Sequence, residues 1–422
     1  MFNILKRHLL AVVVVVLALT WLVPNWADML EEPRDPSQNK CIYGSFDDPI
    51  KIARPAYVGQ VRTIRLTNAG EFVRRCELTD VLYELNWDHP AHPNEFRPKV
   101  RPDAKVLPKF VVLYIHGWKH DASEFDTDYR HFTDRIQKLQ VANKDSRQVL
   151  GVYIGWNAAP KLPPFNLPWI RNLTFWSKER IADRIAQSAV VTKIISGIGA
   201  MREPTPLGSD QFVVIGHSFG ARILFSAIGQ TLIYETEKAH PGFPGGMYKI
   251  AGGPANAVVL LNSAFEASIY TALDDVFRNE EQFNYEQLPL LLSISSKGDQ
   301  ATRLAFPIGQ WLSFSRTEQE TTTLGNYACY QTHLLEPKTS SNCSDPPNSG
   351  LSEEFFAMGL CLHRTTRQCR LNVLQKRNPF LIVSTPPEVI SDHNDIWNDN
   401  FSGWLFAYID QLQKAKSIAH GD

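Results

Sequence analysis

The chain has 422 residues, with 43 Lys or Arg against 44 Asp or Glu and a formal net charge of -1. The length suits one large α/β domain with insertions, or two domains. The even charge gives no support to nucleic-acid binding, so nucleic-acid partners are not expected. Glycine and proline are frequent, at 24 and 27 residues, which suits a loop-rich domain, and no internal repeat is visible.

Residues 1–27 read as a targeting segment. Lys6, Arg7 and His8 precede an apolar run over 9–23 that contains five consecutive valines. Positive charge followed by an apolar run predicts export with the N-terminus held inside. The run is long for a signal-peptide core and no small-x-small cleavage site follows, so the reading is an uncleaved signal anchor. It predicts a membrane contact through 9–23 and places the rest of the chain in a periplasmic, extracellular or lumenal space. Secretion after signal cleavage is the alternative. Residues 28–40, polar with Pro33 and Pro36, read as a linker. The six cysteines stand at 41, 76, 329, 343, 361 and 369. An even count outside the cytoplasm allows three disulfides, with proximity favouring 41 with 76 and two bonds among the rest. No Cys-x-x-Cys spacing for zinc occurs.

Apolar stretches over 58–66 and 81–87 predict antiparallel edge strands ahead of the main sheet. Residues 88–108 are rich in proline and histidine; His89 and His92 lack a third ligand and predict no metal site. Residues 110–115 make a nearly continuous apolar strand, as in a parallel sheet covered on both faces. It ends in His116-Gly117-Trp118, and a helix is expected over 125–140. Where a serine nucleophile lies further on, the loop after such an early strand supplies an oxyanion donor. The donor expected here is the backbone N–H of Trp118, with His116 fixing the loop through its ring. Another strand covers 149–156. The segment 158–176 combines four prolines with Leu, Phe and Trp and predicts an acyl-pocket wall or lid, a membrane contact, or plain packing of the next helix over 175–195.

The strongest signal follows. A strand over 212–215 runs into Gly216-His217-Ser218-Phe219-Gly220 and then into a helical stretch to about 234. Strand, tight Gly-x-Ser-x-Gly turn and helix are the setting that exposes a serine as a nucleophile. The glycines are needed because the two backbones pass too close for a Cβ. The amide of Phe219, near the start of the helix, is the second expected oxyanion donor. Strands over 257–262 and 288–295 come next, and Asp299 sits just past the second, in Ser296-Lys297-Gly298-Asp299. An acid beyond a strand and downstream of the serine is the expected orienting carboxylate. Residues 304–372 hold four cysteines and read as a disulfide-rich insertion, longer than a crossover needs. The last strand, over 380–384, leads into a polar loop carrying His393, which completes the order serine, acid, histidine. A closing helix is expected from about 404.

These residues together resemble the α/β-hydrolase superfamily of serine esterases and lipases, over roughly 108–415. The resemblance implies a mostly parallel central sheet flanked by helices, with N-terminal antiparallel edge strands and a Cys-containing insertion before the last strand. It implies an active site at the carboxyl ends of the strands, with Ser218, Asp299 and His393 catalytic and neither cofactor nor metal. The expected function is hydrolysis of carboxylic esters of lipid or acyl substrates through an acyl-enzyme. Thioester, amide or peptide hydrolysis on the same scaffold is the alternative, and a non-catalytic binding scaffold with a relic triad the contrary reading. Oligomeric state is not legible.

Overall fold

The structure is a computed structural model. It describes residues 60–86, 107–158, 175–202, 208–240, 252–276, 286–307, 317–339, 354–365 and 377–420, with a few shorter pieces between them.

Nearly uninterrupted apolar runs build the centre. Strands β1 (Gln60–Leu66), β2 (Lys109–Ile115), β3 (Gln148–Trp156), β4 (Gln211–His217), β5 (Ala257–Leu261) and β6 (Leu291–Ser296) belong to one sheet with β7 (His333–Pro337), β8 (Glu354–Ala357), β9 (Leu360–Arg364) and β10 (Phe380–Thr385). The order across this ten-stranded sheet is β1-β3-β2-β4-β5-β6-β10-β7-β9-β8. All neighbours from β1 to β7 pair in parallel; β7 with β9 and β9 with β8 are antiparallel.

The helices cover both faces. On one side lie α1 (Cys76–Asn86), α3 (Phe175–Gln187), α4 (Val190–Ala200) and α5 (Phe219–Lys238), packed on the core through residues such as Val81, Ile185, Ile194 and Leu224. On the other lie α2 (Thr127–Asn143) and α6 (Asp399–His420), packed through Phe132, Ile136, Trp404 and Tyr408. Burial on both faces explains why β2 and β5 have no exposed residue.

The mostly parallel sheet between helices is the expected fold class. The antiparallel edge, however, belongs to β7, β8 and β9 in the 304–372 stretch, whose described part widens the sheet beyond β10. The N-terminal edge strand β1 runs parallel to β3. The expected strand over 81–87 is helix α1. Leu78, Val81 and Leu85 are all buried, a spacing of three and four that lines one helical face, whereas a strand would need alternation. Burying each such side chain stabilises the fold by about 1.5–3 kcal/mol. The helix expected over 175–195 is two helices, broken where Ala189 takes a left-handed φ of 57°.

The membrane expectation is overturned. Among the described residues no helix is long and apolar enough to cross a membrane. The two long ones carry charged residues, Arg222, Glu235, Glu237 and Lys238 near the ends of α5 and Asp399, Asp410 and Lys414 on α6. The expected anchor over 9–23 lies outside the described residues apart from Val15. A membrane partner, and a catalytic domain tethered outside the cytoplasm, therefore do not stand. The linker 28–40, His89, His92, Cys41, Cys369 and most of the 158–176 segment also lie outside the described residues. Cys343 and Cys361 form a disulfide that ties the segment before β8 to β9, and Cys329 is itself disulfide-bonded.

Candidate active site

The carboxyl ends of β4, β6 and β10 meet at one rim of the sheet. Ser218 follows β4 and has φ 56° and ψ -120°. A non-glycine residue in this region costs on the order of 1–3 kcal/mol and persists only where its surroundings fix it. Here they do. The Ser218 amide donates to the Leu261 carbonyl at 3.0 Å, and its own carbonyl accepts from Ala221, Arg222 and Ala264 at 3.1, 3.3 and 3.2 Å. The flanking glycines are obligatory: a Cβ at Gly220 would lie 2.1 Å from the Ile115 carbonyl oxygen, and one at Gly216 would lie 2.7 Å from the Ala221 Cα. Arg222, buried in the first turn of α5, meets Asp183 at 2.5 Å, Glu266 at 2.9 Å and Glu179 at 3.3 Å, so α5 is locked to α3.

The fold is that of an α/β-hydrolase.

His393 connects the other two side chains. Its Nε2 lies 2.8 Å from Ser218 Oγ, and its Nδ1 lies 2.7 Å from Asp299 Oδ2. Asp299 has no solvent exposure. Its oxygens also accept from the Ala301 amide at 2.9 Å, the Thr302 amide at 3.1 Å and Thr302 Oγ1 at 2.6 Å. Burial alone raises a carboxyl pKa, but the bond and charge of His393 and the bonds from Thr302 outweigh it and hold Asp299 below the usual carboxylate value. Asp299 is therefore ionised, and the imidazole carries its proton on Nδ1, leaving Nε2 free to accept from the serine.

The His393 loop is fastened from several sides. Ser296 Oγ donates to the Ile390 carbonyl at 2.5 Å, and Asp395 accepts from the Ser391 amide and hydroxyl, both at 2.9 Å. Gly298 passes so close that a Cβ there would lie 2.4 Å from the Ser391 carbonyl oxygen. Four residues after His393, Trp397 Nε1 donates to the buried Asp128 at 2.8 Å. Asp128 also accepts from Tyr114 at 3.0 Å and Tyr153 at 2.9 Å, two tyrosines paired across β2 and β3.

Phe219 directly follows the serine, and Trp118 stands on the loop after β2. Gly117 brings the loop after β2 close enough that a Cβ on it would lie 2.8 Å from Ser218 Cβ. Phe219 opens α5, where the amide has no acceptor within the helix. His116 has no exposure, and its ring does hold this loop. Nε2 accepts the Trp156 amide at 3.0 Å and Nδ1 donates to the Gly117 carbonyl at 2.8 Å. Burial, followed by the neighbouring His120, lowers its pKa to about 4, so it stays neutral. On the same loop His120 meets Asp126 at 3.0 Å. Burial would lower its pKa, but Asp126 and Asp128 raise it above the usual value. Phe175 packs against Trp118, Phe219 and Phe306, with ring centroids 5.8, 5.2 and 6.3 Å apart, and so ties the loop after β2 to the start of α5.

Sequence reasoning names Ser218, Asp299 and His393 and misses Thr302, Asp128 and Trp397. A signal exists for Asp128: two tyrosines inside apolar strands need a buried acceptor for their hydroxyls.

No protein-family model matches the sequence, and no curated protein matches it. Among solved structures, an inhibited esterase B from Lactobacillus rhamnosis is similar at 10% identity, over 75% of this chain and 81% of that one, with a TM-score of 0.30. Phospholipase PlaB from Legionella pneumophila, with and without thio-NAD, is similar at 12% identity and TM-scores of 0.24 and 0.22. This chain spans 64–65% of that phospholipase's length. These superpositions are loose; the fold rests on strand order and on the turn at Ser218. Together with the hydrogen-bonded Ser218, His393 and Asp299, it supports a serine-hydrolase mechanism.

Proposed function

We propose that this chain hydrolyses carboxylic esters of acyl or lipid substrates through an acyl-enzyme on Ser218. The observation that carries the reading is a single imidazole bonded at once to the hydroxyl of a serine with a strained backbone and to a buried carboxylate. In this reading Ser218 Oγ attacks the acyl carbonyl carbon while His393 Nε2 takes its proton. The imidazolium gives that proton to the leaving alkoxide, and the alcohol departs. Water then repeats the sequence, with His393 as base, and releases the carboxylic acid. Asp299 holds the tautomer and offsets the positive charge formed on His393. The backbone N–H groups of Trp118 and Phe219 stabilise the tetrahedral oxyanion, the second aided by the positive end of α5. The partly buried rings of Trp118 and Phe175, packed on the start of α5, support an apolar acyl group.

The test is hydrolysis of an ester series of increasing acyl length by wild type and Ser218→Ala, beside matched amides and thioesters. Ester turnover that rises with acyl length and disappears in the variant is expected. Turnover that survives Ser218→Ala, or that favours amides, would contradict the proposal.

A further inference from the structure

The nucleophile turn contains a histidine that no hydrolytic step uses. His217 is 1% exposed. Its Nε2 lies 2.8 Å from the backbone carbonyl oxygen of His393, so Nε2 bears the proton and donates. The other ring nitrogen, Nδ1, has no hydrogen-bond partner among the described residues and faces Gly117, where a Cβ would come within 3.0 Å of it. The same carbonyl accepts a second bond, from Asn262 Nδ2 at 3.0 Å. Asn262 is fully buried directly after β5, with a left-handed φ of 43° that asparagine tolerates better than most residues. Its Oδ1 accepts the Ser296 amide at 2.9 Å, at the end of β6 and three residues before Asp299.

We propose that His217 and Asn262 are positioning residues: a two-donor clamp on the His393 carbonyl that sets the imidazole between Ser218 and Asp299. The inference rests on the triad reading above.

A carbonyl oxygen has two lone pairs, and both are filled here. His393 stands on a polar loop, the kind of segment that moves most in a domain. Both donors stand at the ends of central strands, which move least. Asn262 links the three parts of the site through one side chain, since it follows the strand beside the nucleophile strand, holds the strand end ahead of Asp299 and grips His393. His217 and His393 have ring centroids 4.8 Å apart, so a charge on His217 would oppose the imidazolium that the reaction forms. Burial, reinforced by His393, keeps the His217 pKa well below the usual histidine value, and the clamp stays neutral.

Three variants test the clamp: His217→Leu, which removes the donor, His217→Gln, whose amide nitrogen reaches the same region, and Asn262→Asp, which keeps shape, φ tolerance and the bond from Ser296. Two readouts are paired, ester kinetics and the low-field proton resonance of His393 Nδ1–H bonded to Asp299. Loosening the loop by about 1 Å is expected to lower kcat on the order of 10²-fold with little change in KM. His217→Leu and Asn262→Asp should show that loss together with loss of the low-field proton. His217→Gln should restore both. Wild-type kcat together with an unchanged low-field proton in both donor-removing variants would overturn the clamp. If the wild type turns over no ester, the hydrolytic reading fails, and the proton resonance still decides: its loss only in the two donor-removing variants supports the clamp. Its absence from wild type, or its retention in every variant, overturns it.

Discussion

The nucleophile turn at 216–220 and the histidine loop at 386–398 reach the same rim of the sheet by different physics. The turn is fixed by shape. Backbone passes backbone with no room for a methyl group, and Ser218 is held in a strained conformation by main-chain bonds at both its amide and its carbonyl. The loop is fixed largely by side chains, with one close backbone passage where Gly298 meets Ser391. Ser296, Asp395, Trp397, His217 and Asn262 each contribute a polar contact, and none of them alone determines its path. One region fails all at once when one atom is added; the other loosens by degrees as donors are removed.

Gly220→Ala should show the first behaviour most strongly. Its Cβ would lie 2.1 Å from one main-chain oxygen and 2.7 Å from another, neither of which can swing aside. A loss above about 4 kcal/mol is expected, enough to abolish folded protein on expression. A soluble variant with wild-type melting would show that the turn has more room than its contacts allow.

Asp299→Asn probes the junction of the two regions. By the protease precedent kcat should fall about 10⁴-fold, because the amide no longer selects the tautomer with the proton on Nδ1. The same carboxylate leaves a signature in stability. Its folded pKa lies below the unfolded value of about 3.9, so its stabilisation is complete above that pH and is lost as pH falls through the folded value. In urea titrations the gap between wild type and Asp299→Asn should be constant near neutrality and should close in acid. A gap that widens in acid would reverse the sign assigned here.

Within the loop, effects should be smaller and graded. Trp397→Phe removes one of three donors to the buried Asp128 and should cost about 1–3 kcal/mol in thermal or urea unfolding, with a partial loss of kcat. Asp395→Ala removes a partly exposed acceptor from Ser391 and should cost about 0.5–1.5 kcal/mol. If Asp395→Ala proved as damaging as Gly220→Ala, the contrast between the two regions would collapse.

The same contrast explains what the sequence reveals. Ser218, Asp299 and His393 are legible because each lies in the turn or loop beyond the end of an apolar strand, and glycines mark the tight turns. The six parallel strands preceding the insertion and the last one are legible for the same reason, apart from β1, whose parallel pairing depends on a neighbour more than 80 residues away. Helix α1 is misread because a short run with Leu78, Val81 and Leu85 among polar residues fits two periods, and only packing against the sheet selects one. The clamp is invisible. His217 occupies the variable position of its motif, and nothing local shows that its ring reaches a carbonyl 176 residues away. Polar contacts between distant loops leave no periodicity to read.

The central claim is that Ser218 is a nucleophile activated by His393. Fluorophosphonate labelling followed by mass-spectrometric mapping tests it most directly. One adduct on Ser218 is predicted, absent from Ser218→Ala and slowed by orders of magnitude in His393→Ala. No adduct on the folded wild type, an adduct on another residue, or equal labelling of His393→Ala would contradict it.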